Sequence, residues 1–164
     1  GLTAFGRDVV REMNSLGMLV DLSHISEHSF WDTIALTRYP AAVSHSNAKA
    51  VCGHRRNLTD DQILAVKENH GVIGINLYPE FLNSTGDASI KDVIRHIEHI
   101  AGLGGEDNIG IGADFDGIEN TPDDLRGIQD IPKIFEELHR LNYTETFIRK
   151  FAGGNFLRII KEIL

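Results

Sequence analysis

Histidine, aspartate and arginine recur in this 164-residue sequence just past short apolar runs, where distant parts of a chain can be brought together. One run ends Val20-Asp21-Leu22-Ser23-His24 and a second ends Val43-Ser44-His45-Ser46-Asn47. Another ends Gly112-Ala113-Asp114-Phe115-Asp116-Gly117. Neutral imidazole and carboxylate suit zinc and similar divalent ions, which lower the pKa of a bound water to about 7. The chemistry to expect is hydrolysis at a metal centre, with His24 and His45 as ligands and an acid pair, Asp114 and Asp116, beside them. Beyond the second run stands Arg55-Arg56, and a guanidinium fork grips a carboxylate through two hydrogen bonds. Each feature has a plainer alternative. A strand-end His or Asp can cap a helix, Asp116-Gly117 can be a turn, and an arginine pair can make surface ion pairs.

For these residues to meet, the runs must be strands of one sheet. Four segments, 18–23, 41–44, 72–78 and 109–114, are short, apolar and rich in Val or Ile, the pattern of buried parallel strands. Helical patterns lie between them, the clearest being Ile90, Val93, Ile94, Ile97, Ile100 and Ala101 on one face. Thr59 with Gln62 spells a capping box, and Ser89 and Thr144 are N-cap candidates. The opening segment puts Phe5, Val9, Met13 and Leu16 on one helical face and stops at Gly17. Such alternation leaves an open doubly wound sheet or part of a (β/α)8 barrel. No G-x-G-x-x-G turn follows the first strand, which removes the dinucleotide-binding version of the former. The expectation is α/β of the TIM-barrel type, four βα units amounting to half a barrel plus carboxyl-terminal helices, as one domain over 1–164. Catalytic groups then sit at the carboxyl ends of the strands. If the first strand alternates to its end, Asp21 and His24 face opposite sides, which gives Asp21 a structural role. His96 and His99 are placed on the solvated side of their helix. His28, His54, His70 and His139 receive no catalytic role.

Composition narrows the partners. The chain is 41% hydrophobic and 24% charged, ordinary for a globular domain, with a formal charge of -8 and no basic run to track phosphates. Nucleic acid is excluded as a partner, and no apolar run approaches the roughly 20 residues of a membrane span. The single cysteine, Cys52, forms no internal disulfide and suits a reducing compartment, so a cytoplasmic location is expected. Asn57-Leu58-Thr59, Asn83-Ser84-Thr85 and Asn142-Tyr143-Thr144 match the glycosylation pattern and are read as turn and cap residues.

In order and spacing, four strings resemble the renal or membrane dipeptidase family of zinc peptidases. They are Gly17-Met18-Leu19-Val20-Asp21-Leu22-Ser23-His24-Ile25-Ser26, Ser44-His45-Ser46-Asn47-Ala48, Arg55-Arg56-Asn57-Leu58 and Gly112-Ala113-Asp114-Phe115-Asp116-Gly117, and the closing Gly154-Asn155-Phe156-Leu157-Arg158 fits the family's last helix. The resemblance implies a (β/α)8 barrel holding two zinc ions bridged by a glutamate, and cleavage of dipeptides. It makes His24 and His45 ligands of one zinc, Arg56 the site for the substrate carboxylate, and Asp114 the acid that contacts the substrate and assists proton transfer, with Asp116 as support. The family's amino-terminal His-x-Asp pair, its bridging Glu and a further substrate-binding His have no match here. The chain is therefore expected to be the carboxyl-terminal part of a metallodipeptidase barrel, inactive alone, that forms a homodimer or pairs with the missing amino-terminal half. Two alternatives stand beside this reading, another metal-dependent amidohydrolase and a non-catalytic, self-associating half barrel.

Overall fold

The computed structural model describes residues 1–164. Three parallel strands, β1 (Ala42–Ser46), β2 (Val72–Ile75) and β3 (Ile109–Ile111), form a sheet in the order β1-β2-β3. Eight helices surround it. These are α1 (Ala4–Ser15), α2 (Glu27–Leu36), α3 (Asp60–Glu68), α4 (Pro79–Leu82), α5 (Ile90–Gly102), α6 (Pro132–Arg140), α7 (Glu145–Arg149) and α8 (Asn155–Ile163), with a 3-10 turn at Ile128–Asp130 and a π-helical turn at Lys150–Gly154.

The expected first strand, 18–23, is reduced to one parallel bridge between Asp21 and Ala42. Leu22 N–H donates to Ala42 O at 2.8 Å and Ala42 N–H to Val20 O at 2.9 Å, so the segment does lie beside β1. Pairing stops there because Asp21 Oδ1 captures the Ser23 N–H at 3.0 Å, and the chain turns through His24 at φ +65°. The expected strand 41–44 runs on to Ser46, whereas β2 and β3 end early, at Ile75 and Ile111, so residues 76–78 and 112–114 are freed at the rim.

One sheet face buries Val43, Ile73, Ile75 and Ile109 in the main core with Ile63, Val66, Val93, Ile97 and Ile100 of the flanking helices. The other face is covered at its amino-terminal end by α8, where Ile159 and Phe156 pack on Ala42 and Val72. Towards the carboxyl end that face carries glycine. The partners Val43↔Ile73 and Ser46↔Ile75 show β1 using three residues where β2 uses two, a bulge at Ser44 and His45. The Ser44 carbonyl oxygen occupies the space that a Cβ on either Gly74 or Gly112 would need. Only glycine admits that close approach.

Capping follows the sequence at three helices. Thr59 Oγ1 accepts the Gln62 N–H while Gln62 Oε1 accepts the Thr59 N–H, Asp92 reaches back to the Ser89 N–H, and Thr144 accepts from Phe147 N–H. Two helical faces differ from expectation. In α1, Phe5, Val9 and Leu16 are exposed, whereas Val10 and Asn14 are buried. The polar contacts turn the helix, because Asn14 Oδ1 accepts the Arg38 N–H and Arg7 pairs with Asp32, both tying α1 to the α2 region. His96 is fully buried rather than solvated. Its Nδ1 accepts the Ala48 N–H at 3.1 Å and its Nε2 donates to Leu82 O at 2.9 Å, two bonds that substitute for water. His99 pairs with Asp60 at 2.7 Å.

Candidate active site

The carboxyl ends of the sheet bring His24, His45, Arg56 and Asp114 together. His24 arrives from the turn after the Asp21 bridge, and His45 from the β1 bulge. Their Nε2 atoms are 2.8 Å apart, with ring centroids at 4.9 Å. Asp114 Oδ2 lies 3.9 Å from His45 Nε2. Both His24 (φ +65°) and Asp114 (φ +63°) adopt the left-handed conformation, which L side chains seldom occupy. Reduced solvation lowers the His24 pKa, and the nearby Arg56 charge and His45 ring add to this, favouring the neutral imidazole that can ligate a cation.

Arg56 is placed by its backbone. The Ser46 hydroxyl donates to Arg56 O at 2.8 Å, and Arg56 N–H donates to His54 Nδ1 at 3.2 Å. The His54 ring stacks on Phe81 at 4.5 Å, and the Arg56 guanidinium carbon sits 5.7 Å from the centre of the same ring. Arg56 Nη2 is buried without a hydrogen-bond partner. Burial lowers the Arg56 pKa, and the Asp114 and Asp21 carboxylates oppose that. A cleft of about 230 Å³ is lined by His24, Arg56, Tyr78, Phe81, Asp114 and Glu119. A larger depression of about 460 Å³ shares His24 and Arg56 with it but not Asp114. His24 and Arg56 therefore border both depressions, and Asp114 only the smaller cleft.

Asp21 is nearer this site than strand alternation implies. Residue 24 lies past the end of pairing, so the alternation argument does not reach it. Asp21 Oδ2 accepts the Ser44 hydroxyl at 2.5 Å, and Oδ1 accepts the Ser44 N–H at 3.0 Å. Burial raises the Asp21 pKa, but the hydrogen bonds from Ser44 and Ser23 outweigh it and leave the carboxyl below its ordinary value. Asp116 is exposed in the turn after Asp114.

Asparagines not singled out in the sequence complete the scaffold. Asn76 Nδ2 donates to Asp114 Oδ2 at 3.1 Å, Asn47 Oδ1 accepts the Asn76 N–H, and Asn47 Nδ2 donates to Asn76 O. Both are fully buried. Asn76 directly follows β2, so the strand-end rule that selects His45 and Asp114 also selects it. Phe81, Tyr78 and His54 had no comparable signal, since an aromatic or lone histidine in a loop has no preferred partner until the fold supplies one.

A parallel sheet with imidazoles, a carboxylate and an unpaired guanidinium at its carboxyl rim defines an α/β protein with an enzyme-like strand-end site. The profile of the membrane dipeptidase family, peptidase family M19, matches residues 1–164, and the chain belongs to that family. It is 42% identical over 163 residues to an uncharacterised dipeptidase of Schizosaccharomyces pombe, covering 98% of this chain and 40% of that protein. It is 37% identical over 167 residues to an uncharacterised protein in the pqqA 5' region of Klebsiella pneumoniae, covering 99% of this chain and 61% of the relative. Its fold matches the crystal structure of a metallopeptidase from Rhodobacter sphaeroides liganded with a phosphinate mimic of the dipeptide L-Ala-D-Ala, with a TM-score of 0.95 and 34% identity over 100% of this chain and 48% of that one. The chain thus spans about half the length of the relatives it matches. No helix is long and apolar enough to cross a membrane.

Proposed function

We propose that this chain carries half of the active site of a zinc-dependent dipeptidase, in which His24 and His45 hold one ion, Arg56 binds the free carboxylate of the dipeptide, and Asp114 assists proton transfer at the scissile bond. The observation that carries the reading is the meeting of two imidazole Nε2 atoms, 2.8 Å apart, at the rim where His24 and Arg56 border one cleft and Arg56 Nη2 lacks a partner. The donor set fits a borderline metal. His24 and His45 would be the residues that hold it, each through a neutral imidazole nitrogen. A bound zinc ion supplies Lewis acidity, activating water and polarising a carbonyl.

The residues of this chain supply the rest. The Arg56 guanidinium has a buried donor awaiting an acceptor, and a carboxylate satisfies it with the planar geometry that lysine lacks. Asn76 holds Asp114 by one oxygen and leaves the other for substrate. With about half the length of its relatives, the chain supplies the carboxyl-terminal half of a (β/α)8 barrel domain and does not turn over dipeptides by itself. Kinetics of the full-length enzyme on a dipeptide and its carboxyl-terminal amide test the reading. Arg56→Lys should raise KM for the dipeptide and leave the amide little changed; an equal effect on both removes Arg56 from carboxylate recognition. Turnover by the 164-residue chain alone with added zinc would overturn the half-site reading.

A further inference from the structure

We propose that Asp21 is a positioning residue which, through the Ser44 hydroxyl, fixes the proton of His45 on Nδ1 and so leaves Nε2 as a bare lone pair directed at His24. The inference rests on the reading of His45 as a metal ligand, and it assigns a task to two residues that touch neither cation nor substrate.

An ionised Asp21 carboxylate only accepts hydrogen bonds. Its Oδ1 is used by two backbone N–H groups, those of Ser23 and Ser44, each at 3.0 Å. Its Oδ2 faces Ser44 Oγ at 2.5 Å, so the one Ser44 hydroxyl proton points at the carboxylate. The rival acceptor for that proton, Ser23 Oγ, is neutral and lies further off at 3.2 Å. With its proton committed, Ser44 Oγ presents a lone pair to His45 Nδ1 at 2.9 Å, and the only bond available there is His45 Nδ1–H donating to Ser44. A neutral imidazole protonated on Nδ1 has its lone pair on Nε2. That is the atom 2.8 Å from His24 Nε2 and 3.9 Å from Asp114 Oδ2. An outer carboxylate that sets a ligand's tautomer and ring orientation is a recurrent device at metal sites, here lengthened by one hydroxyl.

Local structure supports the relay. The β1 bulge turns Ser44 and His45 together toward the rim, and Gly74 and Gly112 make room for the Ser44 carbonyl behind them. The Ser23 hydroxyl accepts the His45 N–H at 3.1 Å, which anchors the backbone from which the ring projects. A regular strand would send Ser44 and His45 to opposite faces.

Asp21→Asn separates this role from a merely structural one. The Asn carbonyl still accepts both backbone N–H groups, so the bridge to β1 survives, but the amide nitrogen now donates to Ser44 Oγ. The freed Ser44 proton then has His45 Nδ1 at 2.9 Å as its nearer acceptor, ahead of Ser23 Oγ at 3.2 Å, and the imidazole proton moves to Nε2. The test is long-range ¹H–¹⁵N correlation of the His45 ring in the metal-free protein, assigned by comparison with His45→Gln, together with zinc affinity by competition with a chromogenic chelator. Expected are the Nδ1–H tautomer in wild type and Ser44→Thr, a shift to Nε2–H in Asp21→Asn, and loss of a fixed tautomer in Ser44→Ala. Zinc affinity should fall roughly ten- to a hundredfold in Asp21→Asn and Ser44→Ala. An unchanged His45 tautomer in both variants overturns the proposal, and Ser44→Ala decides alone if Asp21→Asn does not fold. If His45→Ala leaves zinc affinity unaltered, the metal reading has failed, while the tautomer still decides the relay.

Discussion

Acidification should loosen this fold through His96, a residue far less conspicuous in the sequence than the rim histidines. Its ring is fully buried, and its two nitrogens join the chain after β1 to the end of α4. Accepting from Ala48 and donating to Leu82 at once requires the neutral ring, because a protonated imidazole has no lone pair to offer. Burial is the main cause of a pKa lowered from 6.5 to about 4, with the bond to Leu82 O acting against it. The unfolded chain therefore takes up a proton near 6.5 that the folded chain refuses until about 4. The stabilisation is fully present above the unfolded value and is lost as pH falls through the interval between the two. Linkage gives a loss of about 2 kcal/mol between pH 7 and pH 5, approaching about 3 kcal/mol near pH 4. For a chain of this size that is a fall in Tm of roughly 4 to 8 °C at pH 5. Urea unfolding at the two pH values should be compared for wild type and His96→Asn, whose amide oxygen can still accept from Ala48. The variant should be weaker at pH 7 but lose about 2 kcal/mol less on acidification. Equal losses would show that His96 is not held neutral by the fold.

Three stability measurements check the geometry around the site. Gly74→Ala should lower the urea unfolding free energy by about 3 kcal/mol or more because its methyl meets the Ser44 carbonyl, whereas Gly53→Ala, with open space around its Cβ, should change it little; similar values for the two would mean the bulge is not packed against β2. His24→Gly should unfold with a free energy about 1 kcal/mol higher than His24→Ala, since glycine occupies positive φ without strain; equal unfolding free energies would remove the left-handed turn. Asn155→Ala should cost about 1–3 kcal/mol and speed amide exchange in β3, because Asn155 Nδ2 donates to Glu106 O and Ile109 O; exchange at the wild-type rate would show that β3 is held otherwise.

The rim was legible in the sequence because strand-end placement depends only on the order of elements. His24, His45 and Asp114 follow apolar runs, and parallel strands carry such residues to one edge whatever the details of packing. Asn76 obeys the same rule but does not titrate, so a search for acids, bases and ligands passes over it. Details of orientation were not legible. Asp21 looked remote because alternation was extended past the point where Asp21 itself ends the pairing by capturing the Ser23 N–H. The buried face of α1 is set by what Asn14 and Arg7 bind on the α2 region, and apolar spacing alone cannot contain that information. His96 looked solvated because its helix carries charge nearby, yet α4 and the chain after β1 close over it with two matched backbone groups.

The site residues stand in conformations the fold would not choose for its own stability. Left-handed backbone at His24 and Asp114 costs on the order of 1–3 kcal/mol at each position, and a buried guanidinium nitrogen without an acceptor adds a further penalty. Such features persist only where the surroundings determine them. Here the determinants are separate from the site. Asn47 and Asn76 lock the ends of β1 and β2 through paired backbone bonds, the Ser46 hydroxyl and His54 ring hold the Arg56 backbone, and glycine under the bulge lets Ser44 and His45 share one face. None of these groups needs to meet a substrate. Because the scaffold fixes the backbone, the rim side chains are spared the task of stabilising the fold. Arg56 Nη2 is left with a donor that no protein contact uses, which is the condition a binding site must meet.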